Sequence, residues 1–354
     1  MKKLWSRIKY YVFLAIGVLL LYVVFKDVDF RWMWNEIRGA HFGWVGLSVF
    51  CGILAMASRA WRWRLLLEPL GYKPGFLVCF YGVSIGYFAN VGLPRIGEIV
   101  RCTVVNQRTD IPVTQLFGTV ILERVIDVVM LLSLITAVTL YQIDLFGNFF
   151  LTEVFGDKIQ RFNGFVQGKG LILIPVVIAI LLIILWLSRI VWRKIRNTAV
   201  IKKVTEFFRG IGDGLVSLFK LKKKGAFIFH TLFIWTNYFL MTWVSVYAYD
   251  PTSMLKAMDG LFLMVVGGLG MSAPVQGGFG AFHYLIEKAL FLYNIVPSEN
   301  PRTGAQLRPG LVFATIVHSS QFIMTMVVGA VSLLFFTLGN KKKNGKSAAR
   351  SLKE

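Results

Sequence analysis

Glu123, Arg124 and Asp127 are three charges set inside an otherwise apolar run at 113–141. On a helix, Glu123 and Asp127 are four residues apart and share a face, while Arg124 and Asp127 are three apart and within pairing reach. If that helix starts near Val113, Glu123 lies roughly 15 Å along it, close to the centre of a bilayer. Charges at that depth are costly and normally face a partner or a wet cavity. Two chemistries follow from the spacing. One is a buried ion pair that fixes how helices dock. The other is a polar cavity that accepts a lipid headgroup or relays a proton.

Four other groups bear on that choice. His318-Ser-Ser-Gln321 places four polar residues together inside the apolar run 310–338, with His318 roughly 13 Å from Pro309 on a helix. Arg95, Glu98 and Arg101 flank Pro94 and Gly97. A guanidinium fork matches phosphate oxygens, and lipid phosphates are the anions at a membrane surface. Arg59, Arg62 and Arg64 alternate with Trp61 and Trp63, a pattern read most simply as an interfacial belt, with Arg59 one turn deeper and within reach of a cavity. Pro274, Gly277, Gly278 and Gly280 give a segment the backbone freedom to turn amides toward a ligand. Cys51, Cys79 and Cys102 have no metal-ligand or disulfide spacing, no hydrolase, zinc or nucleotide motif occurs, and no metal or cofactor is expected.

The elements that must position these residues follow from composition. The 354 residues are 56% hydrophobic and 16% charged, with mean hydropathy +0.64. A soluble domain carries about 25% charged residues, so a soluble enzyme, a disordered chain and a disulfide scaffold are excluded. An all-α polytopic membrane protein remains, one transmembrane domain over 1–354. Full spans are expected at 8–25, 43–60, 113–141, 171–188, 226–248 and 310–338. Two further apolar stretches, 76–93 and 258–293, are interrupted by Gly and Pro. They are read as re-entrant helical hairpins, since broken backbone at membrane depth needs a protein-lined or wet surround.

The net charge of +21 has the same architectural meaning. With this span order, the basic excess of the N-terminus, 58–75, 94–111, 189–225 and the tail falls on one side of the membrane. Nucleic acid is not the implied partner. The segment 202–224 interleaves Lys and Arg with Phe207, Phe208 and Phe219, as a helix lying on anionic lipid would. The halves 1–142 and 171–338 each hold three spans with a broken stretch before the last, so they insert in opposite directions. Inverted repeats with broken helices recur in secondary transporters.

At these residues a family resemblance emerges. Arg59-Ala-Trp-Arg-Trp-Arg-Leu-Leu-Leu, Pro94-Arg-Ile-Gly-Glu-Ile-Val-Arg101, Leu122-Glu-Arg-Val-Ile-Asp127 and Pro274-Val-Gln-Gly-Gly-Phe-Gly280 resemble the flippase-like membrane domain of lysylphosphatidylglycerol synthases and its stand-alone relatives. An acidic residue usually follows the last motif, whereas Ala281-Phe-His283 follows here. The resemblance implies movement of a phospholipid or polyprenyl-phosphate-type lipid between leaflets of a bacterial cytoplasmic membrane; the distribution of basic residues is what puts both termini inside. The partners are then anionic or phosphate-bearing lipids, and a homodimer is compatible with this. Aminoacyl transfer, which belongs to a separate soluble domain in the fused enzymes, is not expected. The headgroup residues are expected to be Arg59, Arg95, Glu98, Arg101, Glu123, Arg124, Asp127, His318 and Gln321. The competing expectations are an integral lipid-modifying transferase with Glu98 as base, and a non-transporting partner of a lipid enzyme.

Overall fold

A computed structural model describes residues 18–92, 96–141, 221–273 and 275–351, with side chains up to 339. The expected span at 171–188, most of the basic loop 189–225, and Pro94, Arg95 and Pro274 lie outside the described residues, as does the start of the span at 8–25, which is helical from 18 to 25.

Nine helices are named in chain order among the described residues. Helix α1 (Phe30–Arg38) begins at Asp29, whose carboxylate accepts from the Trp32 amide at 3.0 Å, one of the donors a helix start leaves open. Helix α2 (Phe42–Leu67) runs 26 residues and ends before a turn closed by Gly71 at φ +88°. Helices α3 (Phe76–Gly92) and α4 (Gly97–Thr109) fold against each other as a hairpin. Asp110, left-handed at φ 56°, caps α4, and Pro112 leads into α5 (Val113–Tyr141), which starts where the sequence placed it. After α6 (Lys224–Ser245), α7 (Ala257–Ser272) and α8 (Ala281–Phe291) form a second hairpin, and α9 is Pro309–Ser351. The all-α expectation needs one amendment. Strands β1 (Ser298–Glu299) and β2 (Gln306–Leu307) pair antiparallel before α9, and Gln306 also bridges to Val28.

Three described helical stretches are long and apolar enough to cross a membrane: Phe42–Leu70, Lys224–Ala248 and Pro309–Gly339. Helix α5 has 29 residues, roughly 43 Å, but carries the three charges in its middle. Large apolar side chains are exposed along these helices, among them Phe50 on α2, Val128 and Leu132 on α5, Phe229 on α6, and Ile323 and Val327 on α9. Bands of that kind suit lipid contact and not water.

Helix α2 lies along α6. The first leg of each hairpin packs on the long helix that precedes it, α3 on α2 and α7 on α6, and also touches the last long helix of the other part of the chain, α3 on α9 and, less extensively, α7 on α5. The first hairpin closes on two glycines. A methyl added at Gly86 would come 2.8 Å from the Gly97 carbonyl oxygen, and one at Gly97 would overlap the Gly86 carbonyl and the Asn90 amide. Asn90 Oδ1 accepts from the Gly97 amide at 2.7 Å, so the hairpin's neck is hydrogen-bonded as well as close. Gly97→Ala is therefore expected to cost about 1–3 kcal/mol through overpacking. Gly46→Ala on α2, where nothing lies within 4 Å of the new methyl, is expected to be neutral or mildly stabilising. Thermal unfolding of the two detergent-solubilised variants checks the pair; equal unfolding temperatures would contradict the close approach.

Candidate functional site

Helix spacing supplies the raw material of the site. Arg59 and Arg62 are one turn apart on α2, Glu123 and Asp127 one turn apart on α5, and Glu98 and Arg101 one turn apart on α4. The fold brings these three faces together. Arg59 Nη1 donates to Asp127 Oδ2 and Arg62 Nη2 to Asp127 Oδ1, both at 2.8 Å, so two arginines hold the two oxygens of one carboxylate. Arg59 Nη2 donates to the Tyr238 hydroxyl of α6 at 3.0 Å. Arg101 Nη1 lies 2.6 Å from Glu123 Oε2, and Arg62 Nε lies 3.7 Å from Glu123 Oε1. The Arg101 guanidinium also sits 3.7 Å from the centre of the Trp63 ring, whose Nε1 donates to Thr119 Oγ1 at 2.9 Å. Arg124 Nη2 donates to Glu98 Oε1 at 2.9 Å and Nη1 lies 3.8 Å from Asp127 Oδ2.

Four guanidinium groups thus interleave with three carboxylates. Ions removed from water pay a desolvation penalty of several kcal/mol each, which only close, hydrogen-bonded partners offset. Alternation of sign is the arrangement that supplies partners on every side. The network is not uniformly sealed. The side chains of Arg62 and Glu123 have no exposure, Arg59 and Arg101 have 4% and 5%, and Asp127 has 14%, whereas Glu98 has 22% and Arg124 43%. The open end borders a small cleft lined by Tyr87 and Asn90 of α3, Glu98 and Arg101 of α4, and Arg124 of α5. In this conformation the cleft has room for little more than a water molecule.

Several expectations are corrected. Arg101 does not stand exposed at the membrane surface: it is buried, paired with Glu123 through Nη1 and laid on Trp63. Glu98 and Arg101, one turn apart on α4, each reach a different residue of α5. Arg59, Arg62 and Trp63 are buried against neighbouring helices and do not form an interfacial belt. Trp61, 41% exposed with the Arg64 guanidinium 4.8 Å from its ring centre, keeps the anchor character. Arg124 pairs chiefly with Glu98, and its i, i+3 contact to Asp127 is the longer one.

His318 takes part in a different cluster. It is buried, its Nε2 donates to the Gly277 carbonyl at 2.9 Å, and its ring packs on Phe279, Phe282 and His283. Gly277, Gly278 and Gly280 have φ of 56°, 74° and 79°, the left-handed region that side chains disfavour, so the tip of the second hairpin requires glycine there. Gln321 is half-buried on α9. The two hairpin tips approach one another, with Gln276 Nε2 3.4 Å from the Gly92 carbonyl oxygen.

Sequence reasoning missed Arg62, Trp63, Tyr87, Asn90 and Tyr238 as parts of the site. The signal available for Arg62 was complementarity: two bases one turn apart on one apolar helix, and two acids one turn apart on another.

The family model described as lysylphosphatidylglycerol synthase TM region matches residues 11–329. Among curated proteins, the chain is similar to the UPF0104 membrane protein MJ1595 of Methanocaldococcus jannaschii, 23% identical over 325 residues that cover 86% of this chain and 88% of that protein. No solved structure matches.

Proposed function

Given that the chain belongs to the lysylphosphatidylglycerol synthase TM region family, we propose that it is a flippase-like transporter that moves a phosphate-bearing lipid between the leaflets of the cytoplasmic membrane. The observation that carries this reading is the open end of the charge network. Arg124 is a guanidinium exposed to a cleft beside the neck of a helical hairpin, held there by the half-buried Glu98 and Asp127. Exposed guanidinium at that position favours an anionic headgroup, and a fork of donors favours phosphate.

The fold supports a path for the head. Each hairpin is a pair of short helices, and their tips meet at Gln276 and Gly92. Parting the tips would let a headgroup pass while its acyl tails stay in lipid against the exposed apolar bands. The contacts between the two parts of the chain, α3 on α9 and α7 on α5, suit two inverted halves that rock against each other. In this reading both hairpins are re-entrant and both termini lie inside, which the basic excess of the sequence supports.

The test is leaflet exchange of headgroup-labelled phosphatidylglycerol in vesicles reconstituted with the protein. Movement faster than in protein-free vesicles, with no new lipid masses, is the expected result. New lipid masses would favour a transferase, and movement no faster than in empty vesicles would refute transport.

A further inference from the structure

We propose that the Glu98–Arg124 pair is an exchange site, in which the headgroup phosphate of the lipid takes the place of the Glu98 carboxylate on Arg124; this rests on the transport reading above and deepens it. Seven charged side chains form the network, and only these two are open to the cleft to a substantial degree, at 22% and 43% exposure. Glu98 is also the carboxylate with the fewest guanidinium partners. Arg124 contacts a single oxygen of Glu98, and the buried second oxygen, Oε2, has no hydrogen-bond partner among the described residues. Each of the other two carboxylates, in contrast, meets two guanidinium groups of other helices at its two oxygens.

A phosphate is better matched to the site than the carboxylate that occupies it. It presents more than one oxygen to the guanidinium fork. A second donor group is already in place: Arg101 lines the same cleft, is 95% buried by its 5% exposure, and has Nη2 and Nε without hydrogen-bond partners among the described residues. Glu98 therefore acts as an internal competitor that neutralises Arg124 while no lipid is bound.

The exchange has a mechanical consequence. Glu98 stands in the first turn of α4, next to the hairpin neck at Gly97, whereas Arg124 is on α5. Replacing the carboxylate by phosphate releases the neck end of α4 from α5. The Arg101–Glu123 pair, one turn further along, still holds the two helices together. The neck is freed while the base of the hairpin stays docked, which is how a hinged hairpin would open toward a headgroup.

Binding of short-chain phosphatidylglycerol to the detergent-solubilised full chain tests this. A competitor inside the site lowers apparent affinity by the fraction of protein in which the site is free. Glu98→Gln is expected to lower the Kd by about fivefold or more. Glu98→Asp, one methylene shorter, is expected to lower it by less, and it serves if the Gln variant does not fold. Unchanged or weaker binding in a variant with wild-type unfolding temperature overturns the exchange. So does tightening toward inorganic phosphate alone without tightening toward the lipid. The two levels fail separately. If vesicles show no lipid movement but Glu98→Gln still tightens lipid binding, transport falls and the exchange site stands. If lipid moves and the Kd does not change, the exchange falls and transport stands.

Discussion

Glu123→Ala is expected to destabilise the folded protein by about 3–5 kcal/mol, the cost of removing one partner from a buried ion pair. The carboxylate has no exposure and serves two arginines, Arg101 at 2.6 Å and Arg62 at 3.7 Å. Their fates differ when it is lost. Arg62 keeps Asp127 at 2.8 Å. Arg101 keeps only the face of Trp63 and is left as a buried cation without a counter-charge. The Gln variant should be milder, about 1–3 kcal/mol, since the amide fills the space and keeps an acceptor oxygen beside Arg101. The double variant Glu123→Ala with Arg101→Met should recover part of the loss, because it removes the stranded charge together with its partner.

The chain supplies its own reporter. Cys51, Cys79 and Cys102 are all buried, and the last two lie on α3 and α4 beside the network. Thermal unfolding followed with a thiol-reactive dye reads their exposure directly. A Glu123→Ala protein that unfolds at the wild-type temperature would show that the network does not hold α4 and α5 together.

Arg124→Ala should have the opposite signature. The side chain is 43% exposed and its principal partner is the partly exposed Glu98, so little buried charge is stranded when it goes. Unfolding is expected near the wild-type temperature. Lipid movement in vesicles should fall. Losing a charge-assisted hydrogen bond to phosphate is worth about 1.5–3 kcal/mol, which is roughly 10- to 100-fold in binding. Arg124→Lys should restore only part, since an ammonium keeps the charge and loses the paired geometry. Lipid movement that survives Arg124→Ala intact would exclude the cleft as the route. Two adjacent residues thus separate the roles of the network: Glu123 reads out in stability, Arg124 in transport.

Much of this was legible in the chain. The start of α5 at Val113 follows from Pro112 and the apolar run behind it. The breaks near Gly92–Gly97 and Ser272–Gly280 follow from Gly and Pro clusters that a continuous helix does not tolerate. The shared face of Glu123 and Asp127 follows from helical spacing alone. The reading failed where a residue's surroundings, and not its spacing, decide its role. Arg59, Arg62 and Trp63 look like an interfacial belt because alternating Arg and Trp satisfy lipid headgroups. The same residues satisfy carboxylates and helix surfaces equally well, and α5 and α4 cover them here. Glu98 and Arg101 sit at pairing distance along α4, yet each has a stronger partner across the interface with α5.

What the sequence determined by itself is local: the membrane-protein class, where helices run and break, which side chains share a face, and which positions require glycine. These depend on hydropathy, on the 3.6-residue period and on backbone sterics, all of which act within a few residues. The tertiary structure alone decided which charge meets which, and which of them stay open to the cleft. Pairing and desolvation depend on groups brought up by other helices, here 26 residues away for Glu98 and Arg124 and 68 for Arg59 and Asp127. Spacing along one helix carries no record of the face that will lie opposite it, so Glu123 and Arg124 are neighbours in sequence while one is sealed and the other open.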